Sequence, residues 1–190
     1  AQYAENKFVL TDGRPPERDR IYYDELWSDT SGMERYEELN KLAAEWCKGK
    51  TLDIGCGIGQ MSKYITEYKG FDFSEVAIKE SNNPNCWVGD IYDKSNYQGD
   101  YETYLCLEVI EHVDDFKLLR NIPQGKPLVF SVPSFSDPGH RRTFDEDILK
   151  IRYKHYLDIK KTVRFNWNDR WERGGKKTSS FILLSKAIKI

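Results

Sequence analysis

The sequence predicts an α/β sandwich, a mostly parallel sheet with helices on both faces and an antiparallel strand at its C-terminal end. Three observations predict it. Between residues 51 and 132, five short apolar runs alternate with stretches of helical spacing, the pattern that right-handed βαβ crossovers require. A glycine cluster follows the first run directly and precedes a helical stretch. The chain closes with two longer strand candidates on either side of a polar segment containing Gly174-Gly175, so these two are expected to pair as a hairpin.

Each element has its own signal. Gly13-Arg14-Pro15-Pro16 marks a loop, and Ser31 with Glu34 forms a capping box opening a helix. Met33, Tyr36, Leu39, Leu42, Ala43 and Trp46 continue it at helical spacing, and Gly49 stops it. Thr51–Ile54 reads as the first strand, with Met61, Tyr64, Ile65 and Tyr68 marking the helix after the glycines. Gly70–Phe73 reads as the second strand, and Ser74 as the N-cap of a helix through Val76, Ala77 and Ile78. Cys86–Val88, Glu102–Leu107 and Leu128–Val132 supply three further strands. Thr143 and Glu146 form a second capping box, for a helix through Ile148, Leu149, Ile151 and Tyr156. Residues 159–167 and 180–188 are the closing strands.

Composition bounds the rest. With 190 residues, 39% of them apolar, the chain makes one domain with a single core, and 32% charged residues argue against disorder. No run approaches the roughly 18 apolar residues of a membrane span. The first ten residues lack the basic start and apolar stretch of a signal peptide. Cys47, Cys56, Cys86 and Cys106 show no CxxC and no zinc-like spacing. A cytosolic protein with reduced thiols is expected. The charge is uneven: residues 1–140 hold 25 Asp/Glu against 15 Lys/Arg, and residues 141–190 hold 6 against 14. That basic third either decorates an outer face or meets an anionic substrate.

The most informative stretch is Thr51-Leu-Asp53-Ile-Gly55-Cys-Gly57-Ile-Gly59-Gln60. Glycines between a strand and a helix let the backbone turn tightly and approach a ligand. A dinucleotide fingerprint needs glycine where Gln60 stands, and no Gly-Lys-Ser/Thr follows, so pyrophosphate and Walker readings are disfavoured. Asp53 beside the glycines would repel phosphate and suit a cationic or hydroxyl-rich ligand. Asp72, at the end of the second strand, can take both hydroxyls of a ribose. Asp90, after the third, can accept from an adenine amino group. Taken singly, each acid is also an ordinary strand-end cap. Together they describe a nucleoside that carries positive charge and no phosphate.

With these residues the chain resembles the class I S-adenosylmethionine-dependent methyltransferases. The resemblance is carried by LDIGCGIGQ (52–60), GFDFSEVAI (70–78), VGDIY (88–92), CLEVIEHV (106–113), VFSVPS (129–134) and GHRRTFDEDIL (139–149). It implies a Rossmann-like three-layer sandwich with a seven-stranded sheet, its last strand inserted antiparallel, and S-adenosyl-L-methionine across the C-terminal strand ends. It implies a methyltransferase domain over residues 50–190 behind an N-terminal helical segment, 1–49, whose Tyr22, Tyr23, Trp27 and Tyr36 either form a lid over the cofactor or simply cover the sheet's edge. Gly55, Cys56 and Gly57 would line the methionine part, with Asp53 orienting the loop. Asp72 would hold the ribose beside Phe73, Asp90 and Ile91 the adenine, and Leu107 with Glu108 would border the methyl group.

Catalysis falls to the loops after the fourth and fifth strands. His112 or Glu111 is expected to assist deprotonation of a small-molecule acceptor at O or N, and His140 to contact the substrate. Two alternatives stand beside this. Glu108, Glu111, His112 and His140 resemble the metal-holding ExxEH and later histidine of Hen-type small-RNA 2′-O-methyltransferases, although His140 follows His112 by only 28 residues. The principal reading takes no metal. On the RNA reading, Arg164, Arg170, Arg173, Lys176, Lys177, Trp167 and Trp171 would serve the nucleic acid. The second alternative is a non-catalytic module that keeps the fold for binding.

Overall fold

Strand periodicity dictates how the sheet divides its side chains between two faces. On β4 (Thr103–Leu107) Tyr104 and Cys106 pack to one side and Leu105 to the other. On β5 (Pro127–Pro133) Leu128, Phe130 and Val132 join the first side, and Val129 joins Leu105. The structure, a computed structural model, describes residues 17–29, 36–137, 139–171 and 177–190, with the backbone alone between 167 and 179.

Among the described residues, two helices precede the sheet, α1 (Arg20–Leu26) and α2 (Glu37–Trp46). Then follow β1 (Thr51–Ile54), β2 (Tyr68–Asp72), α3 (Glu75–Ser81), β3 (Cys86–Val88), β4, α4 (Asp115–Leu119), β5, α5 (Glu146–Tyr153), β6 (Leu157–Trp171) and β7 (Lys177–Lys189). The sheet has seven strands in the order β3-β2-β1-β4-β5-β7-β6. β1 to β5 pair in parallel, and β7 lies antiparallel between β5 and β6. The expected sandwich with its inserted antiparallel strand is what the chain forms.

One face carries α4, α5 and the 3-10 turn Lys94–Tyr97, where Leu118, Leu119, Tyr153 and Tyr97 meet Leu52, Phe71, Tyr104 and Phe130. The opposite face takes α2 and the segment after the glycine loop, where Ala43, Met61 and Ile65 meet Leu105, Val129 and Leu184. Each large side chain buried this way stabilises the fold by about 1.5–3 kcal/mol before conformational entropy is counted.

Several local expectations needed correction. No full helix follows the glycines. Gln60–Lys63 makes one 3-10 turn, and Tyr68 belongs to β2, whose partnership with β1 already begins there. Tyr68 points into the core because it is a strand residue opposite Thr51, so its helical spacing from Met61 was coincidental. The N-cap of α5 is Asp145, whose carboxylate accepts from the Ile148 amide at 2.7 Å, in place of Thr143. That helix ends at Tyr153, before Tyr156. The Ser31–Glu34 box, Met33 and the Gly13–Pro16 loop lie outside the described residues.

Candidate active site

The sheet order reverses direction between β1 and β4, and in open α/β sheets the crevice at such a point is where ligands bind. A cavity of about 700 Å³ opens there. Its walls come from the segments leaving β1, β2, β3 and β4, and from α1 and α2 above them.

The glycine loop forms the floor. Gly55 and Gly57 have φ of +70° and +53°, where only glycine sits without strain. A Cβ on Gly55 would lie 2.6 Å from Val109 Cγ2, and one on Gly57 2.4 Å from the Trp27 ring. Two amides of the loop, Gly55 and Cys56, donate to the Phe71 carbonyl at 2.9 Å each. The third, Gly57, donates to Asp72 Oδ2 at 2.8 Å, while Ser74 N donates to Oδ1 at 2.9 Å. Asp72 thus fastens the loop to β2 and, with four lone-pair sites on its carboxylate, retains acceptor capacity toward the cavity. Asp53 is buried beneath the loop. Tyr68 donates to it at 2.9 Å, and burial pushes its carboxyl up to about 7.

Asp53, Gly55, Cys56, Gly57, Asp72, Phe73, Asp90, Ile91, Leu107 and Glu108 all line this one cavity. Asp90 uses Oδ1 to hold the Tyr92 amide at 2.8 Å. Glu108 has φ of +54°, a region that few side chains occupy. Ser131 holds it there, accepting from the Glu108 amide at 3.0 Å and donating to its Oε1 at 2.7 Å. Burial and the neighbouring Glu111 raise the Glu108 carboxyl well above the usual carboxylate range.

His112 also lines the cavity. Its Nδ1 lies 2.8 Å from the Gly139 carbonyl, which can only accept, so the proton sits on Nδ1 and the Nε2 lone pair is free. Burial lowers its pKa below the ordinary histidine value. His140 is built the same way, with Nδ1 2.9 Å from the Phe135 carbonyl, and its ring centroid stands 4.9 Å from that of His112. Glu111 is fully buried, and neither carboxylate oxygen has a hydrogen-bond partner. Burial pushes its carboxyl up to about 8. Glu111 and His140 are off the cavity wall, with Glu111 Oε1 3.6 Å from His112 Nε2. Glu111, His112 and His140 each place a ligand atom within 4.8 Å of the others, so they could hold a divalent cation. Glu108 is not in that group.

Sequence reasoning named the N-terminal aromatics but missed what seats them. Tyr23, Trp27 and Tyr36 line the cavity, and Tyr22 does not. The Tyr23 hydroxyl is buried without a hydrogen-bond partner, its ring edge-on to His112 with 6.2 Å between centroids. Asp24 anchors α1, accepting from Ser74 Oγ and from the Val76 amide at the start of α3. Nothing local in sequence signals a contact that spans 50 residues. Arg142 was also missed as a clamp: it donates to the Ile110 and Val113 carbonyls at 2.8 and 2.7 Å, fixing the loop that carries His112. Of the basic C-terminal residues, Arg164 lies 3.6 Å from the Phe181 ring centroid. The side chains of Trp167, Arg170, Trp171, Arg173, Lys176 and Lys177 are outside the described residues.

A family model described as a methyltransferase domain matches residues 28–167. The chain belongs to this methyltransferase family. The chain is similar to the ubiquinone biosynthesis O-methyltransferases of Aromatoleum aromaticum, 28% identical over 109 residues, and Ralstonia nicotianae, 24% identical over 109 residues. The matches cover 47% of this chain and 47% and 46% of those proteins, so the matched stretch spans about half the length of these relatives. Among solved structures it resembles the N-methyltransferase NodS from Bradyrhizobium japonicum WM9, in complex with S-adenosyl-l-homocysteine. That likeness has a TM-score of 0.64 at 13% identity and covers 90% of this chain and 97% of that chain. At that identity it shows a shared fold.

Proposed function

We propose that the protein transfers a methyl group from S-adenosyl-L-methionine to O or N of a small-molecule acceptor. One observation carries this reading: the glycine loop, Asp72, Asp90 and His112 surround a single cavity at the reversal of strand order. S-adenosyl-L-methionine, when bound, supplies a methyl group on a positively charged sulfur. Gly55, Cys56 and Gly57 line the methionine part, Asp53 supports the loop from below, and Asp72 accepts from the ribose hydroxyls beside Phe73. Asp90 and Ile91 hold the adenine, while Leu107 and Glu108 border the reacting carbon.

Methyl transfer is an in-line displacement, so alignment and exclusion of water supply most of what the protein must contribute. His112 Nε2 accepts the proton of an acceptor hydroxyl, and Glu111 and His140 sit beside that imidazole. α1, within the N-terminal segment 1–49, covers the cofactor side of domain 50–190 with Tyr23 and Trp27. Cys47, Cys56, Cys86 and Cys106 are free thiols, and no helix among the described residues is long and apolar enough to cross a membrane. The free thiols suit a reducing, cytosolic setting. The lined cavity weighs against a module that only binds.

The ligand chemistry of Glu111, His112 and His140 favours one second reading, a divalent cation that grips the acceptor, and RNA is the acceptor that reading names. Incubation with methyl-labelled S-adenosylmethionine and size-fractionated cell extract, with and without a chelator, separates the two. Label in small molecules that ignores the chelator supports the principal reading. Label in RNA that disappears with the chelator replaces it. Asp72→Ala should weaken S-adenosylhomocysteine binding in calorimetry by about 1.5–3 kcal/mol, the range for charge-assisted hydrogen bonds. Unchanged affinity would remove the ribose assignment.

A further inference from the structure

Beneath the glycine loop lies a pair of thiols that methyl transfer does not use. Cys56 lines the cavity and is buried, whereas Cys86, on β3, is partly exposed. Gly70 of β2 sits opposite Cys86 in the sheet register. A Cβ on Gly70 would lie 2.7 Å from Cys56 Cβ and 3.0 Å from its sulfur, so Cys56 occupies the space beside Cys86 that a larger residue would fill. From the other side, a Cβ on Gly59 would lie 3.1 Å from the Cys86 sulfur. The Cys56 thiol donates to the Gly57 carbonyl at 3.6 Å.

We propose that Cys56 and Cys86 are a modification site, a dithiol that a peroxide converts to a disulfide and that thereby switches the cofactor loop. The Cys86 thiolate attacks one peroxide oxygen, the O–O bond breaks, and the departing hydroxide takes up the proton that the thiol released and leaves as water, with a sulfenic acid on Cys86. The Cys56 sulfur then displaces the second water, its thiol proton leaving with that water, and the S–S bond forms. The two thiols lose two electrons, and the peroxide gains them. Cys86 is suited to the first step. The neighbouring Cys56 thiol lowers its pKa to about 7, and the thiolate is the reactive form. The neighbouring Cys86 and burial keep the Cys56 thiol protonated, so in the second step its proton is given up as the departing oxygen of the sulfenic acid takes it.

The consequence falls on the ligand site. A disulfide needs its sulfurs about 2 Å apart, well inside thiol–thiol contact, so closure draws Cys56 toward β3. The Cys56 and Gly55 amides share the Phe71 carbonyl, and the Gly57 amide is tied to Asp72. Moving Cys56 therefore disturbs three amides of the cavity floor at once.

The effect on binding rests on placing the cofactor in this loop, and the test keeps the two apart. Purified protein is treated with hydrogen peroxide, its peptides are mapped by mass spectrometry, and S-adenosylhomocysteine affinity is measured by calorimetry before and after. A peptide joined through Cys56 and Cys86 is expected, with Kd raised at least about tenfold and restored by dithiothreitol. Cys86→Ser should keep the reduced affinity and ignore peroxide. The proposal is overturned by absence of the crosslink, by a crosslinked protein of unchanged affinity, or by a peroxide response that persists in Cys86→Ser. Reduced protein that does not bind S-adenosylhomocysteine fails the cofactor placement alone, and the crosslink map still decides the pair.

Discussion

His112 and Glu111 are adjacent in sequence and meet opposite demands. The Gly139 carbonyl fixes the tautomer of His112 and leaves Nε2, 3.6 Å from Glu111 Oε1, as the basic nitrogen of a ring that lines the cavity. Burial lowers its pKa from the ordinary 6.5, so neutral imidazole persists to more acidic pH. The acid limb of kcat/KM should accordingly lie below the usual histidine value, and His112→Asn should erase that limb while lowering kcat by about 10²–10⁴. An unchanged pH–rate profile in the variant would deny it the role of base. Glu111 shows the cost of the site. Its carboxyl is raised from 4.5 to about 8 in the folded protein, so the folded state holds a proton that the unfolded chain releases. Its contribution is fully present below about pH 4.5 and is lost as pH rises toward 8. Glu111→Gln should remove a few kcal/mol of pH-dependent destabilisation. Thermal denaturation at about pH 5 and pH 8 checks this, and an equal difference in Tm for parent and variant would refute it. The sequence showed which residue types line the cavity, because ExxEH follows a strand directly. It did not show that Glu111 and His140 lie off the wall, which depends on how Arg142 and the Gly139 carbonyl fold two loops together.

Short helices here hold their places through charge. α4 has five residues, too few to persist by its own hydrogen bonds. Its Asp115 is buried and receives Arg152 Nε at 2.6 Å, Arg152 Nη2 at 2.9 Å and the Tyr153 hydroxyl at 2.6 Å, which joins α4 to α5. Burial alone would raise this carboxyl, but Arg152 and Arg142 outweigh it and hold its pKa below the ordinary value. The stabilisation is therefore present at neutral pH and lost as pH falls below the usual aspartate range. Asp115→Ala should cost about 3 kcal/mol in urea unfolding, and a loss under 1 kcal/mol would show that packing alone seats α4. Strands were far more legible than helices. β1 and β3 were placed to the residue because each is a short apolar run between turn signals. The helix expected after the glycines failed because Met61, Ile65 and Tyr68 satisfy helical spacing while Tyr68 serves β2. The capping residue of α5 was missed because Thr143, Asp145 and Glu146 stand so close together that pattern alone cannot choose among them.

At the scale of the whole molecule, the charge asymmetry seen in the sequence separates two regions. The acidic first 140 residues build the cavity, and the basic remainder supplies α5 and the β6–β7 hairpin. Ligand binding at the cavity therefore reports on the β1–β4 half, yet stabilises the entire cooperative unit by mass action. S-adenosylhomocysteine at about 100 times its Kd should add about 2.7 kcal/mol, raising Tm by roughly 5–10 °C for a chain of this size. No shift at that saturation would mean that the ligand binds folded and unfolded chains alike. The order of strands was legible only through resemblance, since hydrophobic periodicity says that a strand exists and not which neighbour it takes. That order also governs birth of the fold on the ribosome. β6 bonds to β7 alone, and β7 bridges it to β5. The outer edge of β5, with Leu128, Val129 and Phe130 wholly apolar, stays unzipped while β6 is translated, an invitation to other nascent chains. The cleft strands β1 to β4 have all emerged by then, so a ligand arriving early would find its floor laid before the sheet has closed.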